Sequence, residues 1–264
     1  MSKVKHPFIR SAKLPAGYSP ANSNTRINVP RPFELPVPQT VVQIPEASPN
    51  MGLNSERQRG MMVARLRDQG IMDDRVLAAM QAIPRHAFVD EGLASRAYED
   101  AALPIGFGQT ISQPWVVAYM LSMMIQGRRP ARVLEVGAGC GYQAAILAQF
   151  VPEVFAIERV RGLYDQAREN LARCRTPGRI RLSFGDGMQG LAHAVPFDGI
   201  VVAAAGVKIP EALLEQLAVG ARLIAPEGTT RQKLILIERT SVSSWRRAEL
   251  ESVRFVPLRP GTQT

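Results

Sequence analysis

Val133-Leu134-Glu135-Val136-Gly137-Ala138-Gly139-Cys140-Gly141-Tyr142 is an apolar strand that runs into a glycine loop and then into a helical stretch, Gln143 to Gln149. Glycine suits such a loop because a Cβ would keep a ligand off the backbone and because positive φ costs glycine little. The first amides of the following helix offer donors to a polar ligand group. The spacing separates two kinds of loop. A dinucleotide fingerprint GxGxxG beginning at Gly137 requires glycine at position 142, where this chain has Tyr142, whereas GxGxG fits Gly137, Gly139 and Gly141.

On either side of the loop, short β-branched runs alternate with helical stretches, the pattern of a parallel sheet covered on both faces. Strands are expected at Arg132–Val136, Val154–Ile157, Ile180–Phe184, Gly199–Val202, Arg222–Ala225, Leu234–Glu238 and Ser252–Val256. The last two have no helix between them, so they are expected to form a hairpin joined through the polar stretch Arg239–Arg247. The fold class is therefore α/β, a doubly wound, mostly parallel seven-stranded sheet. In such sheets ligands bind beyond the carboxyl ends of the strands, where the strand order reverses. Glu158, at the end of the second strand, is placed to accept hydrogen bonds from ribose hydroxyls. Asp186, between Gly185 and Gly187 after the third strand, is placed to meet an adenine amino group. A ligand with an adenosine part and no pyrophosphate follows, which is S-adenosyl-L-methionine.

Residues 1–55 carry Pro30, Pro32, Pro36 and Pro38 and lack a sustained apolar period, so they are expected to form a disordered tail. From Glu56 the apolar residues Met62, Leu66, Val76, Leu77 and Met80 recur at helical spacing, which predicts two short helices over Glu56 to Ala82. Asp73 or Asp74 is the expected N-cap of the second, and Pro84 marks its end. The organisation is thus a tail over 1–55 and one domain over 56–264 with an N-terminal helical cap. No apolar run reaches the roughly 20 residues of a membrane span. Met1–Arg10 is not followed by a signal-like apolar segment, so a cytoplasmic address is expected. Cys140 and Cys174 have no disulfide or zinc spacing and are read as free thiols, with no metal site. The formal charge of +9 comes from scattered basic residues, with only short groups such as Arg173, Arg175, Arg179 and Arg181. A solvated face is the reading, with no specific nucleic acid, no membrane and a monomer expected.

The segment Ala102-Leu103-Pro104-Ile105-Gly106-Phe107-Gly108-Gln109-Thr110-Ile111-Ser112-Gln113-Pro114 is polar and glycine-rich between apolar flanks, as a functional loop would be. Tyr98 to Pro114, Leu134 to Ala145, Ile157-Glu158-Arg159, Gly185-Asp186-Gly187 and Arg254-Phe255-Val256-Pro257-Leu258 together resemble the bacterial protein-L-isoaspartate O-methyltransferase family. The resemblance runs in order from about Glu56 to Gly261. It implies the Rossmann-like S-adenosylmethionine-dependent methyltransferase fold, and S-adenosyl-L-homocysteine as the product of the methyl donor. It implies that the acceptor is the α-carboxylate of isoaspartyl residues in damaged proteins and peptides. It further implies Ser112 as the active-site residue and cofactor contacts from Gln109, Thr110, Ile111, Glu135, Gly137, Gly139, Gly141, Glu158, Asp186 and Gly187.

Two positions depart from the family pattern. Cys140 replaces a small hydroxyl residue in the glycine loop, and Ala203-Ala204-Ala205-Gly206 replaces a Thr-Ala-Ala-Pro type sequence. An α-carboxylate has a pKa of about 3.5 and is already ionised, so its methylation requires no general base. His6, His86 and His193 accordingly stand in no Ser-His-Asp or Cys-His arrangement. Ser112 is expected to orient the carboxylate rather than to attack. A backbone edge near Arg254–Leu258 is expected to pair with an extended peptide. The competing readings are a methyltransferase with another acceptor, and an inactive cofactor-binding interaction protein. The first lacks the Asn-Pro-Pro-aromatic type tetrad and the basic aromatic patch that a nucleic-acid enzyme would need.

Overall fold

The computed structural model describes residues 51–264, so most of the tail expected over 1–55 lies outside the described residues. Helix α1 spans Met51–Asp68 and α2 spans Asp74–Ala82. The first helix thus begins five residues before the Glu56 start expected from apolar spacing. Asp73 caps α2. Its side chain accepts from the amides of Arg75 (3.0 Å) and Val76 (3.4 Å), and one carboxylate oxygen lies 2.7 Å from the Arg75 guanidinium. Asp73→Ala should therefore destabilise the chain by about 1–2 kcal/mol, read as a lower urea midpoint with an unchanged slope.

The segment expected as a loop at 102–114 contains a small antiparallel hairpin, β1 (Leu103–Gly106) and β2 (Gln109–Ile111). Helix α3 (Pro114–Ile125) follows, with proline at its first position, where no amide hydrogen bond is lost, and with Asp100 accepting from the Trp115 amide at 3.0 Å.

The main sheet then builds in alternation: β3 (Arg132–Val136), α4 (Tyr142–Leu147), β4 (Glu153–Glu158), α5 (Arg161–Ala172), β5 (Arg179–Phe184), β6 (Phe197–Val202), α6 (Glu211–Glu215), β7 (Leu217–Gly228), β8 (Gln232–Ser241) and β9 (Ser244–Val253). The strand order is β5-β4-β3-β6-β7-β8-β9, parallel from β5 through β7 and antiparallel in the last two pairings. The doubly wound seven-stranded architecture expected from the alternation is the one observed. Successive strands lead outward from β3 to one side and from β6 to the other, so the order reverses between β3 and β6.

The alternation of side chains across the sheet divides the core in two. Val133, Val154 and Val201 pack with Met62, Leu66, Leu121 and Ile146 of the helices on one face. Leu134, Phe155, Ile200 and Leu223 pack with Phe197, Leu213 and Leu217 on the other. Each fully buried aliphatic or aromatic side chain stabilises this arrangement by about 1.5–3 kcal/mol relative to exposure.

The terminal hairpin is present, but its second strand is displaced from the expected Ser252–Val256. The chain turns at Val242–Ser243, so most of Arg239–Arg247 is strand and not connection. β9 is an edge strand whose residues face water along most of its length, and charge pairs accompany its pairing: Arg247 meets Glu227 at 2.9 Å and Lys233 approaches Glu249 at 4.0 Å. A strand without an apolar face carries no alternation to read. Residues 254–258 leave the sheet and run beside Ala205, whose amide donates to Val256 O and whose carbonyl accepts from the Leu258 amide, both at 2.8 Å. These bonds engage the edge of the stretch that faces Ala205, through Val256 O and the Leu258 amide.

Candidate active site

The reversal between β3 and β6 opens a cavity of about 370 Å³ at the carboxyl ends of β3, β4 and β6. Its floor is the glycine loop. Gly137, Gly139 and Gly141 have φ of 89°, 56° and 89°, left-handed values that favour glycine. Gly137 also sits at the switch point itself, where a Cβ would meet the Cβ of Ala203 at 3.7 Å. The loop is held to β4 by the amides of Gly137 and Ala138, which donate to Ile157 O at 2.9 and 3.0 Å.

Glu158, only 4% exposed, fixes the loop from below. One carboxylate oxygen accepts from the Gly139 amide and the other from the Val160 amide, each at 2.8 Å. Burial pushes its pKa up, and those amides together with Arg159 act against the rise. Glu135 is 1% exposed, and one oxygen accepts from Gln143 Nε2 at 3.1 Å while the other has no hydrogen-bond partner. Burial holds the Glu135 carboxyl well above the usual range, with the Gln143 hydrogen bond opposing and the Glu158 charge adding to the effect. Two buried carboxylates thus line one cavity, and the orphaned Glu135 oxygen lacks a donor. A ligand carrying positive charge and N–H donors answers that deficit.

Of the residues expected to bind the cofactor, Gln109, Thr110, Ile111, Glu135, Gly137, Gly139, Glu158 and Gly187 line this cavity, as does Ser112. Gly141 and Asp186 do not. Gly141 begins α4 behind the loop, where a Cβ would press on Leu171 at 3.0 Å. Asp186 caps the following turn through the Met188 amide and accepts from the Gly261 amide, both at 2.8 Å. Its partner Gly261 belongs to a C-terminal strap. Gln263 exchanges backbone bonds of 2.8 Å with Arg159 and Arg161, and Arg159 Nε reaches Gly261 O at 2.9 Å. Val256, Pro257, Leu258, Arg259 and Gln263 of this strap line the cavity. The resemblance to Arg254–Leu258 signalled part of it, but nothing in the sequence pointed to Gln263.

A second cavity of about 340 Å³ lies alongside, lined by Trp115, Ser252, Arg254, Phe255 and others. The two share Thr110, Ser112, Ala203 and Val256. Trp115 stacks on Tyr119 with ring centroids 4.8 Å apart, giving this groove an aromatic wall. Cys140 is buried in the first cavity, where burial raises its thiol to about 11, so it stays protonated and unreactive at neutral pH. Neither His86, whose Nδ1 lies 2.7 Å from the Tyr98 hydroxyl, nor His193 lines either cavity; His6 lies outside the described residues.

Comparison with known proteins places this geometry. The family model for protein-L-isoaspartate(D-aspartate) O-methyltransferase matches residues 57–263. A protein-L-isoaspartate O-methyltransferase of Bordetella avium is 64% identical over 248 residues, 94% of this chain and 92% of that one. One from Bordetella petrii is 61% identical over 262 residues, 99% of this chain and 96% of that one. Among solved structures, a Plasmodium falciparum chain described as of the same methyltransferase type, in complex with S-adenosyl-L-homocysteine, superposes with a TM-score of 0.68 at 27% identity. It covers 76% of this chain and 98% of its own. A second structure described as a protein-L-isoaspartate O-methyltransferase gives 0.69 at 27% identity, over 78% and 67%.

Proposed function

The chain belongs to the protein-L-isoaspartate(D-aspartate) O-methyltransferase family, and from that membership we infer how its two cavities divide the reaction. The enzyme methylates the α-carboxylate of L-isoaspartyl residues in damaged proteins and peptides, with S-adenosyl-L-methionine as methyl donor. The observation that carries our assignment is the strip Thr110, Ser112, Ala203 and Val256, common to both cavities. The cavity over the glycine loop takes the cofactor, and the groove beside Trp115 takes the peptide. The methyl group passes at the strip.

Bound S-adenosyl-L-methionine supplies a methyl group made electrophilic by its sulfonium. The protein residues fit it: glycine-loop backbone, buried Glu158 for the ribose, and the unpartnered Glu135 oxygen for the methionyl ammonium. No histidine is needed, because the accepting carboxylate is ionised at neutral pH. What the chain supplies is alignment and exclusion of water, which strips a hydrated carboxylate and sets its approach. Ser112, half-buried at the meeting of the cavities, holds one carboxylate oxygen while the other faces the methyl group. In the ester formed, methoxide leaves more readily than oxygen leaves a carboxylate. The neighbouring backbone nitrogen then closes a succinimide without further help, and hydrolysis returns part of it to aspartate.

Ala203 contributes only a methyl group to the strip, so acceptor alignment falls to Ser112 and the β2 backbone. We also read the chain as a monomer acting without nucleic acid. Several basic side chains are drawn into ion pairs, as in Arg128 and Arg222 with Glu238 or Arg132 and Arg181 with Glu153. Labelled S-adenosyl-L-methionine and paired peptides with isoaspartate or aspartate at one position test the assignment. Base-labile methyl ester should form only on the isoaspartyl peptide, and Ser112→Ala should lower kcat/KM about tenfold, the scale of one lost hydrogen bond to a charged group. Binding of cofactor with labelling of neither peptide would point to another acceptor or to the inactive interaction protein. Labelling unaffected by Ser112→Ala would remove Ser112 from the strip's chemistry.

A further inference from the structure

At the mouth of the cofactor cavity the β1–β2 hairpin turns through Gly106, Phe107 and Gly108, with φ of 90°, 53° and 68°. The glycines adopt these values freely. Phe107 does not: it is the one non-glycine residue with positive φ among the described residues, and a bulky side chain is disfavoured there. It is also a large apolar residue left 58% exposed, and it lines the cavity.

Its ring rests against Gly162 in the first turn of α5, where a Cβ would collide with the Cζ and both Cε atoms. Glycine is the poorest helix former after proline, so position 162 carries a local penalty whose structural return is room for the ring. Two unfavourable local choices on separate elements converge on one contact, and such convergence marks a contact kept for function. Gly162 lies four residues beyond Glu158. Between them, Arg159 and Val160 line the same cavity, and Leu163 does so just after.

We propose that Phe107 is a further cofactor-contacting residue, its ring seated on Gly162 to close the nucleoside end of the cavity over the bound cofactor. It thereby sets how fast S-adenosyl-L-homocysteine leaves. The proposal rests on the reading of this cavity as the S-adenosyl-L-methionine site. The exposed ring is then the part of the wall that the bound nucleoside covers.

S-adenosyl-L-homocysteine binding to the full chain, measured by titration and by stopped-flow dissociation, tests this. Phe107→Ala should raise Kd about tenfold through a faster dissociation rate, the scale of a lost aromatic contact. Phe107→Trp should restore most of it. Gly162→Ala should raise Kd in the same direction by displacing the ring, and adding it to Phe107→Ala should cost nothing further, because both remove one contact. The Tm of the ligand-free Phe107→Ala protein should stay at the wild-type value, since the ring is largely exposed. Wild-type Kd and dissociation rate in Phe107→Ala would overturn the proposal while leaving the cofactor reading standing. A wild-type chain that fails to bind S-adenosyl-L-homocysteine would overturn both.

Discussion

Glu158→Ala should weaken S-adenosyl-L-homocysteine binding by about a hundredfold or more, roughly 3 kcal/mol, and should lower the Tm of the ligand-free chain as well. The carboxylate ties the loop amide of Gly139 to the amide of Val160 at the end of β4, each at 2.8 Å. Its removal leaves two amides without partners in a place where water has little access. It also releases the glycine loop from the strand whose end it must meet, and deletes the acceptor assigned to the ribose. Glu158→Gln should rescue little. A carboxamide offers one accepting oxygen, and its NH2 would face the N–H of either Gly139 or Val160, donor against donor. Titration calorimetry with S-adenosyl-L-homocysteine checks this. A Glu158→Gln protein that binds as tightly as wild type would show that the carboxylate serves neither loop nor ligand.

That double duty of Glu158 also marks where sequence reading stops. Its position after an apolar β-branched run, and some 20 residues beyond the glycines, is a local signal, so a ribose partner is legible there. The amides that hold it are backbone groups whose direction depends on the folded loop. Asp186 shows the limit more sharply. Its flanking glycines promise a free carboxylate at the sheet edge, yet one oxygen accepts from Gly261, 75 residues further on. No short-range pattern encodes a contact of that separation.

Four of the five parallel strands, β3, β4, β6 and β7, are legible because burial on both faces demands continuous apolar runs such as Val133-Leu134 and Ile200-Val201-Val202. β9 was misplaced because it is an edge strand facing water, with Arg246, Arg247, Glu249 and Glu251 where an alternating apolar face would have been visible. The β1–β2 hairpin reads as a loop in the sequence because Gly106-Phe107-Gly108 carries turn chemistry and each strand is only three or four residues long. Phe107 itself gave no signal: only the space beside Gly162, set by tertiary packing, shows what its ring is for.

Glu135 carries the other large expected effect, in opposite directions for stability and for binding. In the ligand-free chain burial raises its pKa well above 4.5, its value in the unfolded chain. Below pH 4.5 both states hold the proton and its contribution is fully present. As pH rises from there towards the folded-state pKa, the unfolded chain releases the proton more readily, and stability is lost across that window. Glu135→Gln, which cannot ionise, should abolish this slope and leave the ligand-free chain more stable than wild type at neutral pH.

Binding runs the other way. The methionyl ammonium favours the ionised Glu135, so cofactor binding expels the proton, and wild-type affinity for S-adenosyl-L-homocysteine should rise with pH by up to tenfold per unit within the same window. The slope is best read below about pH 7.5, before the ligand's own amino group, with a reference pKa near 8, begins to titrate. In Glu135→Gln the slope should vanish, and affinity at pH 7.5 should fall by about 2 kcal/mol, some thirtyfold, because a charge-assisted pair becomes a neutral one. S-adenosyl-L-homocysteine lacks the sulfonium charge, so a slope shared by both ligands locates the effect at the ammonium. A slope seen only with S-adenosyl-L-methionine would place Glu135 against the sulfonium instead. Equal pH profiles in wild type and Glu135→Gln would mean that the orphaned oxygen is satisfied by something other than the cofactor.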